Sequence, residues 1–198
     1  MTTSTRSRKT HTFRIPLPAT SANLGPAFDA AALAFDVYLK LDARPAAEYS
    51  IKATGRDEAI CGKLEDNLIL TTYREVLQTA GKTATPLVLK IANQIPIGKG
   101  CGSSAAARLA GIALANHFGQ LRWTDARIVG EASRREHHPD NASACWMVGL
   151  APLPAEQSAL RSNVCVDLRV NHFPQATPKT GIDDSCCRSN VIFKPRQS

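Results

Sequence analysis

Residues Pro96 to Ala107 read Pro-Ile-Gly-Lys-Gly-Cys-Gly-Ser-Ser-Ala-Ala-Ala. This run constrains the fold more than any other, because a turn built on alternate glycines opens directly into an alanine-rich helix. Gly98, Gly100 and Gly102 admit positive φ and a close backbone approach, and Ser103 and Ser104 begin a helix whose first amides have no partner within it. Free amides and the positive end of a helix dipole favour an anion, so the run reads as a phosphate cradle. Taken alone, it is also what a glycine-rich turn capping a helix looks like. A Walker-type loop needs Lys-Ser or Lys-Thr directly after its last glycine, whereas Lys99 lies among the glycines and Gly102 is followed by Ser103. The stretch Gly100 to Ala105 fits a dinucleotide pattern, with Asp125 twenty residues further on. Its context argues against that reading: the strand-like run Leu87 to Ala92 ends well before Gly98, and Asp125 follows Trp123-Thr124 as a helix start.

Around this loop the periodicities predict an α+β domain. Leu33, Phe35, Val37, Leu39 and Leu41 alternate as a half-buried strand, with Thr12 to Leu17 and Tyr49 to Ala53 as strand neighbours. Pro18 to Asp29 reads as a loop. Asp66 is placed to cap a helix running to Ala80, with Gly81 stopping it. Ser103 to Phe118 reads as a buried helix ended by Gly119, Thr124 to Arg135 as a second, and His138-Pro139-Asp140-Asn141 starts a third. Strands first and helices later, with few parallel crossovers, is the α+β signature.

Charge and cysteine narrow the function classes. The net charge is +7, yet Arg6, Arg8, Lys9 and Arg14 supply +4 at the start and residues 150–198 a further +2. The body is therefore nearly neutral, the first eleven residues read as a disordered basic leader, and no nucleic-acid partner is expected. Cys61, Cys101, Cys145, Cys165, Cys186 and Cys187 show neither Cys-x-x-Cys pairs nor zinc-ligand spacing, which favours free thiols. No run of about eighteen apolar residues suggests a membrane span, and Met1 to Thr12 lacks the apolar centre of a secretory signal. A cytoplasmic protein is expected.

Three segments now stand together: Pro18-Ala19-Thr20-Ser21-Ala22-Asn23-Leu24-Gly25-Pro26-Ala27-Phe28-Asp29, the loop Pro96 to Ala106, and His138-Pro139-Asp140-Asn141. Over about residues 12–149 they resemble the GHMP small-molecule kinases, and within that family the homoserine kinases. The glycine loop carries the superfamily likeness; the Thr-Ser-Ala-Asn-Leu-Gly and Phe-Asp text of the first segment is the more specific part. The resemblance implies a ribosomal protein S5 domain 2-like N-terminal fold, ATP and Mg2+ as cofactors, and phosphorylation of the L-homoserine hydroxyl to O-phospho-L-homoserine, a step toward threonine. It also implies an ATP site from Pro96, Ile97, Gly98, Lys99, Gly100, Cys101, Gly102, Ser103, Ser104, Ala105 and Ala106. Ser103 or Ser104, with Glu131, would hold magnesium, and Asn23, Asp29, His138 and Asn141 would hold substrate, Asp29 pairing with its ammonium. Asp140 and Asn141 are the catalytic candidates. No residue stands out as a general base beyond Asp140, and positioning with electrostatic stabilisation can suffice for phosphoryl transfer. Taken singly, Asn23 and Asp29 also read as turn residues, His138 as a helix-end residue, and Asp140 or Asn141 as a helix cap.

The chain departs from the family in three places. Ala27 stands where the first motif has glycine, and Cys101 where the loop has leucine, the latter a tolerable small hydrophobe. Residues 150–198 hold three of the six cysteines and five of the twelve prolines, keep no period, and match nothing of the family's second, ferredoxin-like domain. The expectation is that a frameshift or early stop replaced the continuation after Gly149, that turnover is weak or absent, and that a homodimer is open. Another GHMP-type kinase, or a non-catalytic ATP-binding fragment, are the alternative readings.

Overall fold

The computed structural model describes residues 12–22, 31–136, 139–149 and 164–167. Strands β1 (Phe13–Ser21), β2 (Ala31–Pro45) and β3 (Ser50–Gly55) precede a short helix α1 (Glu58–Cys61) and helix α2 (Leu68–Thr79). Then follow β4 (Leu87–Asn93), α3 (Ser103–Phe118), α4 (Asp125–Glu136), α5 (Pro139–Gly149) and β5 (Val164–Asp167). The sheet order is β1-β2-β4-β3. β1 and β4 lie antiparallel to β2, and β3 runs parallel to β4. β5 pairs in parallel with Ala31–Ala34, on the edge of β2 that β4 occupies further along.

One face of the sheet carries Ile15, Leu17, Leu39, Leu41, Leu87, Leu89 and Ile91, all buried, against Leu70, Tyr73 and Leu77 of α2 and Leu109, Ile112 and Leu114 of α3. Removing these side chains from water is the main favourable contribution to the fold. Helices α2 and α3 approach closely because Gly111 has no side chain: a Cβ there would lie 2.6 Å from Ile69 O and 2.7 Å from Thr72 Cβ.

Three expectations are revised. β1 does not end before the segment read as a loop but continues through Ser21, with a register irregularity between Pro18 and Ala19. Pro18 cannot donate to the ladder, and strand prolines are tolerated at such irregularities. Opposite them, Pro18 pairs with Tyr38 and Ala19 with Phe35, so Asp36 and Val37 are passed over and the alternation of β2 changes phase. Leu39 and Leu41 point into the core, whereas further back it is Ala32 and Ala34 that are buried. Finally, Asn67 rather than Asp66 caps α2. Its Oδ1 accepts from the amides of Ile69 (3.2 Å) and Leu70 (3.4 Å) while Nδ2 donates to the carbonyls of Cys61 and Lys63. An aspartate cannot supply those last two bonds, and Asp66 takes φ 53° in the preceding turn.

Candidate active site

The glycine loop is held at its root by one side chain. Asn93, at the end of β4, donates through Nδ2 to the carbonyls of Arg56 (3.0 Å) and Ile95 (2.9 Å) and accepts from Ile95 N (3.1 Å). Ile97 N donates to Asp57 Oδ2 at 3.0 Å. A hollow of about 540 Å3, lined by Asp36, Val37, Gly55, Arg56, Asn93, Gln94 and Pro96, opens beside this root. Beyond it Gly98, Gly100 and Gly102 take φ of 71°, 70° and 66°. Gly102 is the N-cap of α3 and, as a glycine, makes no side-chain capping bond to the helix. A helix start of this kind leaves its first amides to be satisfied from outside the helix. Lys99 is exposed on the loop, Ser104 is exposed and Ser103 half-buried. Ala105 and Ala106 are buried, and Ala106 N already donates to Gly102 O at 3.0 Å, so these two support the loop from behind.

Thr20 connects the loop to the other two segments. Its amide donates to Cys101 O at 3.0 Å, and its hydroxyl donates to Asn141 Oδ1 at 2.8 Å. That bond fixes the amide of Asn141 so that its NH2 group is turned away from Thr20. Asp140, 2% exposed in the first turn of α5, accepts from Asn141 N at 2.7 Å through Oδ1, while Oδ2 is buried without a hydrogen-bond partner among the described residues. A buried carboxylate oxygen lacking a donor is costly, and a cationic or hydroxyl-bearing ligand would relieve that cost. Asn23, Asp29 and His138 lie outside the described residues, as do the leader 1–11 and most of the tail 150–198.

The structure does not bring Glu131 to the loop. Its carboxylate receives Arg134 Nη2 (2.8 Å) and Arg135 Nε (2.7 Å), and Arg135 Nη1 also binds Glu75 on α2. Glu131 lines a separate hollow between α2 and α4 with Val76, Thr79, Trp123 and Arg127. The acid that meets the loop is Glu136, whose Oε2 accepts from Ser104 Oγ at 2.7 Å and whose Oε1 accepts from Arg108 Nε at 2.5 Å. Five residues turn a helix by about 140° beyond a full circle, so the two glutamates face different neighbours. The signal is present in the sequence: Glu136 continues the inward stripe Val129-Ala132, whereas Glu131 falls beside it. Thr20 lies within the first motif, but only the fold shows what its hydroxyl meets.

Burial pushes the Glu131 carboxyl up, but the hydrogen bonds and charges of Arg134 and Arg135 outweigh it and hold the group below the usual carboxylate range. A depressed folded value means the contribution is fully present above the unfolded value and is lost as pH falls through the folded one. Glu131→Gln is therefore expected to cost about 1 kcal/mol at neutral pH, given the partial exposure of the cluster. That gap should narrow below the ordinary glutamate value of about 4.3. Urea melts of both proteins from neutral to acid pH measure it; a gap independent of pH would disprove the assignment.

Residues 67–149 match the GHMP kinases N terminal domain. This segment belongs to that family. The chain is 47% identical to a homoserine kinase of Solibacter usitatus over 135 residues, covering 68% of this chain and 44% of that protein. Identity to a homoserine kinase of Bacillus pumilus is 40% over 138 residues, covering 70% and 44%. A protein of Listeria monocytogenes assigned as a homoserine kinase shares the fold with a TM-score of 0.57 and 38% identity, covering 68% of this chain and 46% of that one. The chain thus spans less than half the length of these relatives. No helix among the described residues is long and apolar enough to cross a membrane. Nor do three His, Cys, Asp or Glu side chains gather there as a ready-made metal site.

Proposed function

We propose that the GHMP domain binds ATP with Mg2+ and serves phosphoryl transfer to the hydroxyl of L-homoserine. One observation carries this reading: the glycine-capped start of α3, the Ser104–Glu136 oxygen pair and the Thr20–Asn141 tie converge from three distant parts of the chain. Glu136 here replaces Glu131 as the acidic ligand.

The donor set fits magnesium, a hard cation bound by oxygen, because a hydroxyl and a carboxylate oxygen stand 2.7 Å apart. Two protein oxygens leave most of the coordination to phosphate and water, as is usual for this ion. When bound, the ion neutralises phosphate charge and polarises the transferred group. The amides at the start of α3 orient the phosphates, and Lys99 is an adjacent charge. Asn141 Nδ2 presents donors toward the acceptor oxygen, while Asp140 Oδ2 receives either the substrate's ammonium or its hydroxyl proton. Asn23, Asp29 and His138 complete the acceptor site in this reading. Cytoplasmic location and dimerisation remain part of the proposal.

The test pairs thermal stabilisation by ATP and Mg2+ with a screen of alcohols as phosphate acceptors. Stabilisation that Ser104→Ala abolishes, with homoserine the preferred acceptor, is expected. Preference for a different alcohol would redirect the reading to another GHMP-type kinase. Stabilisation without turnover would leave an ATP-binding domain, and no stabilisation would remove the nucleotide assignment.

A further inference from the structure

Glu136 is held from two positions on α3. Ser104 and Arg108 are one turn apart and reach the same carboxylate, Ser104 Oγ on Oε2 and Arg108 Nε on Oε1. Neither charge is free in solvent: the side chains of Glu136 and Arg108 are 13% and 27% exposed. A guanidinium and a carboxylate carry opposite unit charges, so the two together bring no net charge to this place.

Two effects follow from that arrangement. Anchoring Oε1 fixes the plane of the carboxylate and leaves Oε2, beside the serine hydroxyl, as the oxygen that can turn to a ligand. The positive charge of Arg108 also offsets the negative charge of Glu136, at a place where the helix start is itself positive. A bare divalent cation therefore meets no net attraction there, whereas a cation arriving on a triphosphate brings compensating negative charge with it.

The geometry points to Arg108 as a positioning residue that makes cation capture at Ser104 and Glu136 conditional on the nucleotide. The inference rests on the cation role proposed above for those two residues. It assigns Arg108 no contact with substrate; Arg108 acts through Glu136.

Mn2+, an oxygen-seeking divalent probe with a paramagnetic signal in solution, separates the possibilities when titrated into the full chain with and without ATP. The unaltered protein should hold Mn2+ weakly alone and strongly with ATP. Arg108→Gln keeps a hydrogen-bond donor and removes the charge, and should bind Mn2+ alone about tenfold more tightly. Arg108→Met tests the same charge loss should the glutamine variant misfold. Arg108→Lys should stay within about threefold of the unaltered protein, because the charge is retained. Adding Glu136→Gln to Arg108→Gln should abolish the gain. A purely structural Arg108 predicts no tighter cation binding in either neutral variant, and that result overturns the inference. If Glu136→Gln by itself leaves Mn2+ retention with ATP unchanged, the cation role of Glu136 fails instead, which distinguishes the two failures.

Discussion

Gly102→Ala is expected to destabilise the domain by about 3 kcal/mol and to remove measurable ATP binding. Two costs combine. Gly102 takes φ 66°, a region that a side chain strains, and a Cβ there would lie 2.0 Å from Thr20 Oγ1 and 3.2 Å from Thr20 Cβ. Thr20 cannot retreat, since it is a fully buried strand residue whose amide is bonded to Cys101 O. The methyl must therefore displace the loop, break the Thr20–Asn141 bond, or both. Denaturant melts and calorimetric titration with ATP and Mg2+ measure the two losses. Because the clash is with one hydroxyl, Thr20→Ala in the same chain should recover about 1 kcal/mol of the stability without recovering the site. A Gly102→Ala protein with unchanged midpoint and ATP affinity would show that the close approach does not exist.

The second large effect is a difference between two glycines in helices. Gly130 lies on the exposed side of α4, where an added methyl would find nothing within 4 Å, so Gly130→Ala should stabilise by about 0.5–1 kcal/mol through helix propensity. Gly111 has the same propensity to gain, but its methyl meets the backbone oxygen of Ile69 and the Cβ of Thr72, both well inside contact distance. Neither atom belongs to the flexible end of a side chain, so α2 must move away from α3 and loosen the packing around Leu109 and Ile112. The net change for Gly111→Ala is expected to be about 3 kcal/mol unfavourable, overpacking exceeding propensity. Parallel thermal melts should show opposite signs for the two variants; equal signs refute the close contact of α2 with α3.

Helix α3 is legible in the sequence to the residue because its ends are chemical: glycine and serine at the start, Gly119 at the finish. The glycine conformations are legible for the same reason, since few other residues occupy that region of backbone space. The phase change in β2 is not, because it arises from the way Pro18 and Ala19 pair across the sheet rather than from anything within β2 itself. β5 escapes a sequence reading on similar grounds: four residues without a period acquire a strand only from their pairing with Ala31–Ala34. The acidic partner of Ser104 lies on a different face of α4 from the glutamate expected there, and the hydrophobic stripe on that helix contains the information to place it. The partners of Thr20 depend on contacts across 121 positions of chain, which no local pattern reports.

That separation has a consequence for how the site comes into being. Thr20 belongs to the first strand, Cys101 to the middle of the chain and Asn141 to the last long helix described, and one residue's amide and hydroxyl join all three. No local piece of the chain can rehearse this junction in advance, and the entropy of closing so long a loop must be met before its bonds form. The cradle and its neighbours therefore assemble together with the domain as a whole. Local opening that separates these segments is an opening of the fold itself, so a ligand held there stabilises the whole cooperative unit rather than a single loop.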